Sequence, residues 1–147
     1  MAPREVAVAA QRSIQVAQDR LARGEALLVF PEGTRSRSGK MAPFLSGVSR
    51  YVRDADVWVL PLGLWGTERL FTIREDSFHP APITVRIGRP VRAAELISRT
   101  GGDRRLLMHC IGYAVALLVP SRYRGIYGEW PSVHEAGRHL SEELFPI

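Results

Sequence analysis

One short segment constrains this chain more than any other. Residues 26 to 30 are all apolar, Pro31 stops them, and a polar, basic loop follows as far as Lys40. An apolar run without polar alternation is typical of a strand covered on both faces. Proline cannot continue such a strand because it has no backbone N–H to donate. The segment therefore predicts a buried strand from Ala26 to Phe30 that ends in a loop at the sheet edge where ligands gather.

The remaining patterns predict further helices and strands in an α/β order. Apolar spacing predicts two helices, at Glu5 to Arg23 and at Phe44 to about Arg53, and a third helix is expected at Asp103 to Leu118. Two more strands are predicted at Val57 to Leu64 and Ile83 to Ile87, the second half-buried and the first with a bulge or an edge position at Pro61. Buried runs with helical crossovers favour a mostly parallel central sheet flanked by helices. A last short helix from Pro131 or Ser132 to Leu144 is expected to be loosely packed.

Length and charge narrow the class of protein. The 147 residues are 46% hydrophobic, which is enough for one core and too little for two ordinary domains. The net charge of +5 favours a phosphate-bearing partner or an anionic surface. The longest apolar run, Tyr113 to Val119, is far short of the ~20 residues of a spanning helix. We therefore expect a peripheral membrane contact, and the single cysteine, without an export signal, favours a cytoplasmic location at the inner membrane face.

The loop after Pro31 has the chemistry of an anion site. Gly33 lets the backbone approach a phosphate, and Arg35 can hold two phosphate oxygens in a bidentate fork. Thr34 and Ser36 add neutral hydroxyl donors, while Glu32 either orients Arg35 or accepts from a substrate hydroxyl. The alternative is a solvated basic turn in which Glu32 and Arg35 form a surface ion pair.

The stretch FPEGTRS, residues 30–36, resembles the corresponding block of the glycerol-phosphate and lysophosphatidate acyltransferase family. Three later blocks are similar to that family as well: Pro43-Phe44, Val59 to Leu62 with Gly66-Thr67-Glu68, and Val85 to Pro90. The resemblance implies one partial acyltransferase-type domain over residues 1–147. Residues 1–92 match best, residues 93–125 form a C-terminal helical region, and residues 126–147 form a tail.

The resemblance also implies a function for named residues. By position, Glu32, Gly33, Thr34, Arg35 and Ser36 would bind the acceptor's phosphate and glycerol, with Pro61 nearby. The expected reaction moves a fatty acyl group from acyl-CoA or acyl carrier protein to a lysophosphatidate-like glycerophospholipid acceptor at a peripheral membrane surface, without a cofactor. Where the family often has a lysine after the Pro-Phe pair, this chain has Leu45, and Arg50 could supply the cation.

The catalytic pair of that family is missing from this chain. The family carries a histidine followed five positions later by an aspartate, before the phosphate loop, and such a pair can take the proton of an attacking hydroxyl. All four histidines here follow the loop, and the residues five positions after them are Thr84, Ala114, His139 and Leu144. We therefore expect the C-terminal part of the catalytic domain, with an uncovered apolar face, and keep a non-catalytic phosphate- or anionic-lipid-binding remnant as the alternative.

No other reactive set replaces the missing pair. His109 and Cys110 are neighbours, but on a helix their side chains point about 100° apart. His134, Glu135 and His139 are too few to complete a zinc site. We therefore assign no catalytic residue, metal or cofactor, and no nucleic-acid partner, because the arginines are scattered rather than clustered with stacking aromatics.

Overall fold

The computed structural model of the chain describes residues 3–53, 56–70, 78–128 and 135–146. The helices in these residues are α1 (Pro3–Ala22), α2 (Ala93–Arg99), α3 (Arg104–Leu118) and α4 (Glu135–Leu144). The strands are β1 (Trp58–Val59), β2 (Leu62–Trp65), β3 (Thr84–Ile87) and β4 (Val91–Arg92). Four short 3-10 turns lie between them, at Ser46–Tyr51, Thr67–Arg69, Ser121–Tyr123 and Gly125–Tyr127.

Helix α3 is the centre of the core and confirms the predicted helix from Asp103 to Leu118. It begins after Asp103, whose carboxylate accepts from the backbone N–H groups of Arg105 and Leu106 at 2.8 and 3.1 Å. These two hydrogen bonds satisfy otherwise unpaired donors of the first turn and lower the pKa of Asp103. Apolar side chains on almost all sides of the helix are buried, which is typical of a central helix.

The aromatic ring of Tyr127 lies on a gap in the side chains of α3. Gly112 leaves room for it: a Cβ at that position would lie 2.6 Å from the Tyr127 hydroxyl oxygen and closer still to the ring. Phe44 and Tyr113 meet the same ring edge-on, with centroids 5.5 and 5.1 Å away. The turn after α3 is thereby fixed to both the helix and the segment that precedes Ser46–Tyr51.

Helix α4 packs against α3, so the prediction of a loosely packed tail is wrong. Its buried residues, Gly137, Ser141 and Leu144, follow one helical face, and Phe145 is buried directly after it. Gly137 permits close approach, since a Cβ there would lie 2.9 Å from the Cβ of His109. The predicted start of this helix at residues 131–132 lies outside the described residues.

The prediction of a mostly parallel central sheet flanked by helices is wrong. The described strands form two small antiparallel pairs, β1 with β4 and β2 with β3. A parallel pair needs a crossover connection, usually a helix, between its strands. In the described residues between β2 and β3 the regular element is a single 3-10 turn, Thr67–Arg69. The chain therefore returns beside β2 in the opposite direction.

The apolar run at residues 26–30 is not a strand, which corrects the first prediction. The segment is extended without strand pairing, and the side chains of Leu28 and Phe30 are 69% and 66% exposed. An apolar run marks residues that favour burial, but a strand also needs neighbouring backbone to pair with its N–H and C=O groups. In the described part of the chain, no strand pairs with this segment.

Strands β1 and β2 pair with β4 and β3 as one two-stranded ribbon that is interrupted at Pro61, where a bulge or an edge position was predicted. Leu60 and Pro61 on one side face Gly88, Arg89 and Pro90 on the other, so three residues oppose two. The Gly88 N–H donates to the carbonyl of Pro61 at 3.0 Å and closes the interruption. An extra residue on one strand twists and bends a ribbon locally, so β1 and β2 are separate strands with separate partners.

The β2–β3 pair has one packed face and one open apolar face. Gly63 packs against Leu118 of α3, since a Cβ there would lie 2.7 Å from the Cβ of that leucine. The opposite face consists of Leu62, Leu64, Val85 and Ile87. Val85 and Ile87 are 54% and 66% exposed, so the predicted half-burial of this strand is wrong, while the expected uncovered apolar face is present.

The N-terminal helix agrees with its prediction, and the second predicted helix is much shorter than expected. Helix α1 is held to the 3-10 turn Ser46–Tyr51 by its second half, where Ala17 is buried and the Gln18 side chain donates to the Arg50 carbonyl at 2.9 Å. The predicted helix from Phe44 to about Arg53 is this turn. Its backbone carbonyls accept hydrogen bonds from the N–H groups three residues ahead, and this pattern occurs mainly in short pieces of helix.

The contact of Tyr127 with Gly112 generates a stability prediction. Gly112→Ala adds a methyl group that overlaps the Tyr127 ring, and overpacking of a core typically costs about 1–3 kcal/mol. The higher helix propensity of alanine offsets up to about 1 kcal/mol of this cost. We expect a net loss of about 1–2 kcal/mol in the free energy of unfolding, measured by urea denaturation. The control is Gly47→Ala, where nothing lies within 4 Å. If Gly112→Ala is as stable as the parent chain, this packing is contradicted.

The open face of β2 and β3 generates a second prediction. Contiguous exposed apolar surface promotes association, so replacing Val85 and Ile87 together by threonine should reduce self-association in sedimentation velocity experiments. Threonine keeps the β-branched shape and the strand preference. The matched control replaces the exposed Val6 and Val8 of α1 by threonine. If both double variants associate as strongly as the parent chain, the sheet face is not the associating surface.

Candidate functional site

The predicted anion-binding residues lie in a closed surface loop, residues 31–45, which we call the 31–45 loop. The Leu45 N–H donates to the Pro31 carbonyl at 2.9 Å, so the two ends of the loop meet. A turn opens it, in which the Gly33 N–H donates to the Phe30 carbonyl at 3.1 Å. Compact loops of this kind, with their ends close together, are frequent functional sites.

Glu32 holds the loop together from inside. Its half-buried side chain accepts a hydrogen bond from the Ala42 N–H at 2.8 Å, across the width of the loop. The surface ion pair of Glu32 with Arg35, considered from the sequence, is not among the contacts of the described residues. Because one carboxylate oxygen binds the backbone, the other oxygen remains for a hydroxyl donor such as that of a glycerol acceptor.

Gly33 is required by the loop itself. Its φ of +71° lies in the left-handed region that favours glycine, and a Cβ would lie 2.6 Å from Cδ1 of Leu45. Leu45, which stands where the family often has a lysine, therefore covers Gly33. Its side chain is 52% exposed, so it forms an apolar rim on the loop rather than part of the core.

The cationic groups of the loop face solvent without partners. Arg35, Arg37 and Lys40 are exposed, and their side chains make no hydrogen bond or ion pair with any residue that the structure describes. The hydroxyl of Thr34 is exposed and equally unpaired within these residues. The Ser36 hydroxyl, in contrast, donates to the Lys40 carbonyl at 2.7 Å. Three positive charges and one free hydroxyl are thus available to an anion at the loop tip.

Pro61 lies in the ribbon and not in the loop. It is buried between β1 and β2, and its ring packs near Gly88 and Leu118. Its carbonyl accepts from the Gly88 N–H, and in the described part of the chain no hydrogen bond joins it to residues 31–45. The predicted site thus splits into a connected group, Glu32 to Ser36, and a separate position in the ribbon.

Two tyrosines that were not among the predicted site residues support the loop. The carbonyl of Tyr123 accepts from the Met41 N–H at 2.8 Å, and the hydroxyl oxygen of Tyr127 accepts from the Phe44 N–H at 2.9 Å. The Tyr123 hydroxyl also donates to Glu68 at 2.7 Å and, as the largest cause, lowers the pKa of that carboxyl. No local pattern of the sequence indicates the two contacts with the loop, because they join residues more than 75 positions apart.

The described residues outside the loop offer no alternative catalytic set. Burial raises the pKa of the Cys110 thiol to about 12, so at neutral pH it is protonated and a poor nucleophile. In the part of the chain that the structure covers, no cluster of three or more histidine, cysteine, aspartate or glutamate side chains could hold a metal ion. Nor does any described helix combine the length and apolarity that crossing a bilayer requires.

Comparison with known proteins connects this loop to an enzyme family. Residues 2–65 match the family model described as Acyltransferase. A 1-acyl-sn-glycerol-3-phosphate acyltransferase of Cocos nucifera is 34% identical over 78 residues, which are 53% of this chain and 25% of that protein. One from Chlamydomonas reinhardtii is 39% identical over 75 residues, 50% of this chain and 23% of that protein.

A human relative, named 1-acyl-sn-glycerol-3-phosphate acyltransferase alpha, is 32% identical over 77 residues, 52% of this chain and 27% of its own length. The chain thus spans about a quarter of the length of the curated relatives it matches. No solved structure matches it. The matched segment contains α1, the 31–45 loop and strands β1 and β2. Over residues 2–65, this chain is therefore similar to the acyltransferase family.

Proposed function

We propose that the 31–45 loop binds the phosphate group of a lysophosphatidate-like acceptor. One observation carries the proposal: Arg35 lies exposed on an internally bonded loop and has no partner among the described residues. An arginine whose five donors are unused can form two parallel hydrogen bonds to a phosphate. The names of the similar proteins, all 1-acyl-sn-glycerol-3-phosphate acyltransferases, support the same class of acceptor.

The remaining groups of the loop suit the rest of such an acceptor. Arg37 and Lys40 add positive charge, which attracts a phosphomonoester over about 10 Å at 0.1 M salt. The Thr34 hydroxyl supplies a neutral donor, and the second carboxylate oxygen of Glu32 can accept from a glycerol hydroxyl. Because Glu32 and Gly33 already hold the loop in shape, little of the binding energy is needed to order it.

Acyl transfer is the reaction that we propose for the protein to which this loop belongs. The acceptor hydroxyl would attack the thioester carbonyl of acyl-CoA or acyl carrier protein, an ester bond would form, and the thiol would leave. A base must take the hydroxyl proton. Since no histidine in these 147 residues has an acid five positions later, we propose that the base comes from outside them.

A second candidate is a non-catalytic protein that binds phosphate or anionic lipid. The observation that favours it is the combination of unpaired cations on the loop with the missing histidine-acid pair. It places the chain at the cytoplasmic face of a membrane, held peripherally by anionic lipid. Both candidates use the same loop, and they differ only in whether acyl transfer follows binding.

The role of Arg35 can be tested with lipid vesicles. We expect the chain to sediment with phosphatidylcholine vesicles that contain phosphatidate, and Arg35→Ala to weaken this binding about tenfold or more, because a hydrogen-bonded charge pair is lost. The matched control is Arg12→Ala, which removes the same charge from an exposed position on α1 that has no partner among the described residues. Vesicles of phosphatidylcholine alone measure binding through apolar surface.

Equal weakening by Arg12→Ala would show that net charge, and not the loop, determines binding. Unchanged binding by Arg35→Ala would contradict the proposed phosphate site. The same preparation, incubated with lysophosphatidate and acyl-CoA, should form no phosphatidate. Product formation by the isolated chain would contradict the proposal that the base comes from outside it.

A further inference from the structure

The C-terminal region reaches back to the 31–45 loop at three points. The Met41 N–H donates to the Tyr123 carbonyl, and the Phe44 N–H donates to the Tyr127 hydroxyl oxygen. Between them, Gly125 has a φ of +53° and lies so close to Met41 that a Cβ would overlap its carbonyl group. The segment from Tyr123 to Tyr127 thus runs against the part of the loop that returns from Lys40 to the core.

The contact of Tyr127 differs from the other two because a side chain makes it. The hydrogen bond with Phe44 is buried, so water does not readily replace the hydroxyl oxygen if it is removed. The ring that carries this oxygen is itself fixed by Gly112 and Tyr113 of α3. A rigid part of the core therefore determines where the backbone of Phe44 lies.

The position of Phe44 affects the anion-binding residues because the residues on either side of it contact them. Leu45, the next residue, donates from its N–H to Pro31 and covers Gly33 with its side chain. On the other side of Phe44, Ala42 donates to Glu32. A shift of the Phe44 backbone thus moves the partners of both Glu32 and Gly33, which lie three and two positions before Arg35.

We propose that Tyr127 is a positioning residue of the phosphate site: its hydroxyl oxygen fixes the Phe44 backbone and thereby holds Glu32 and Gly33 in the arrangement that presents Arg35. Tyr127 lies outside residues 2–65, the segment that matches the acyltransferase family. The part of the chain after residue 92 therefore has a role at the site and does not merely complete the core. The ligand part of this proposal rests on the proposed function, but the structural part does not.

The experiment compares Tyr127→Phe with Tyr113→Phe. Both changes remove one hydroxyl oxygen from the same aromatic cluster and leave the ring in place. The Tyr113 hydroxyl makes no hydrogen bond to the loop, and none to any other described residue, so its loss controls for changes in the core. Thermal unfolding should show both variants folded at the temperature of measurement.

Two quantities are then measured for each variant. Hydrogen exchange of the Phe44 amide should accelerate about tenfold or more in Tyr127→Phe and remain unchanged in Tyr113→Phe, because only the first loses its acceptor. The Kd for glycerol 3-phosphate, followed by amide chemical shifts of Gly33 and Thr34, should rise about threefold to tenfold in Tyr127→Phe only. A merely structural role would change both variants alike.

The possible failures are distinguishable. If the parent chain does not bind glycerol 3-phosphate, the proposed function is wrong, whereas the exchange of Phe44 still tests the structural part. If Phe44 exchanges at the same rate in Tyr127→Phe and the parent chain, the positioning role is overturned. It is also overturned if exchange accelerates while the Kd remains unchanged, or if Tyr113→Phe raises the Kd equally.

Discussion

The contact between the Tyr127 ring and Gly112 is the interaction on which the rest of the structure depends. A glycine in the middle of α3 lets an aromatic ring lie against the helix backbone, and Phe44 and Tyr113 then pack edge-on around it. Burial raises the pKa of the Tyr127 hydroxyl to about 12, so it is neutral at physiological pH, and its oxygen accepts from Phe44. One side chain thus joins the central helix, the C-terminal turns and the 31–45 loop.

This arrangement divides the loop into groups that maintain its shape and groups that face solvent. Glu32 binds backbone across the loop, and Gly33 allows a turn that Leu45 covers. Arg35 and Thr34 are left without partners among the described residues. Because backbone hydrogen bonds and the Tyr127 ring set the shape of the loop, the exposed donors can bind a ligand without breaking the contacts that maintain this shape. The same division explains why a carboxylate occurs beside a predicted phosphate site: Glu32 acts on the loop's own backbone.

The errors in the predicted strands have one physical origin. The apolar run at residues 26–30 and the alternating apolar residues at 83–87 mark side chains that favour burial, but burial requires a covering surface, and the described residues do not provide it. A strand likewise needs a neighbour, so the first run stays unpaired and Val85 and Ile87 stay exposed. Where the neighbour exists, the local patterns predicted correctly: α1, α3 and the interruption at Pro61 occur where the sequence predicted them.

By itself the sequence determined the resemblance to the acyltransferase family, the loop and the identity of its cationic groups, because these depend on a contiguous motif, FPEGTRS at residues 30–36, and on chemistry carried by single side chains. It also determined α3, since the Asp103 cap and the helical periodicity are local. Only the tertiary structure decided the antiparallel pairing, the packing of α4 and the support of the loop by Tyr123 and Tyr127. These features join residues far apart in sequence, and no local pattern specifies which distant backbone group a side chain will reach.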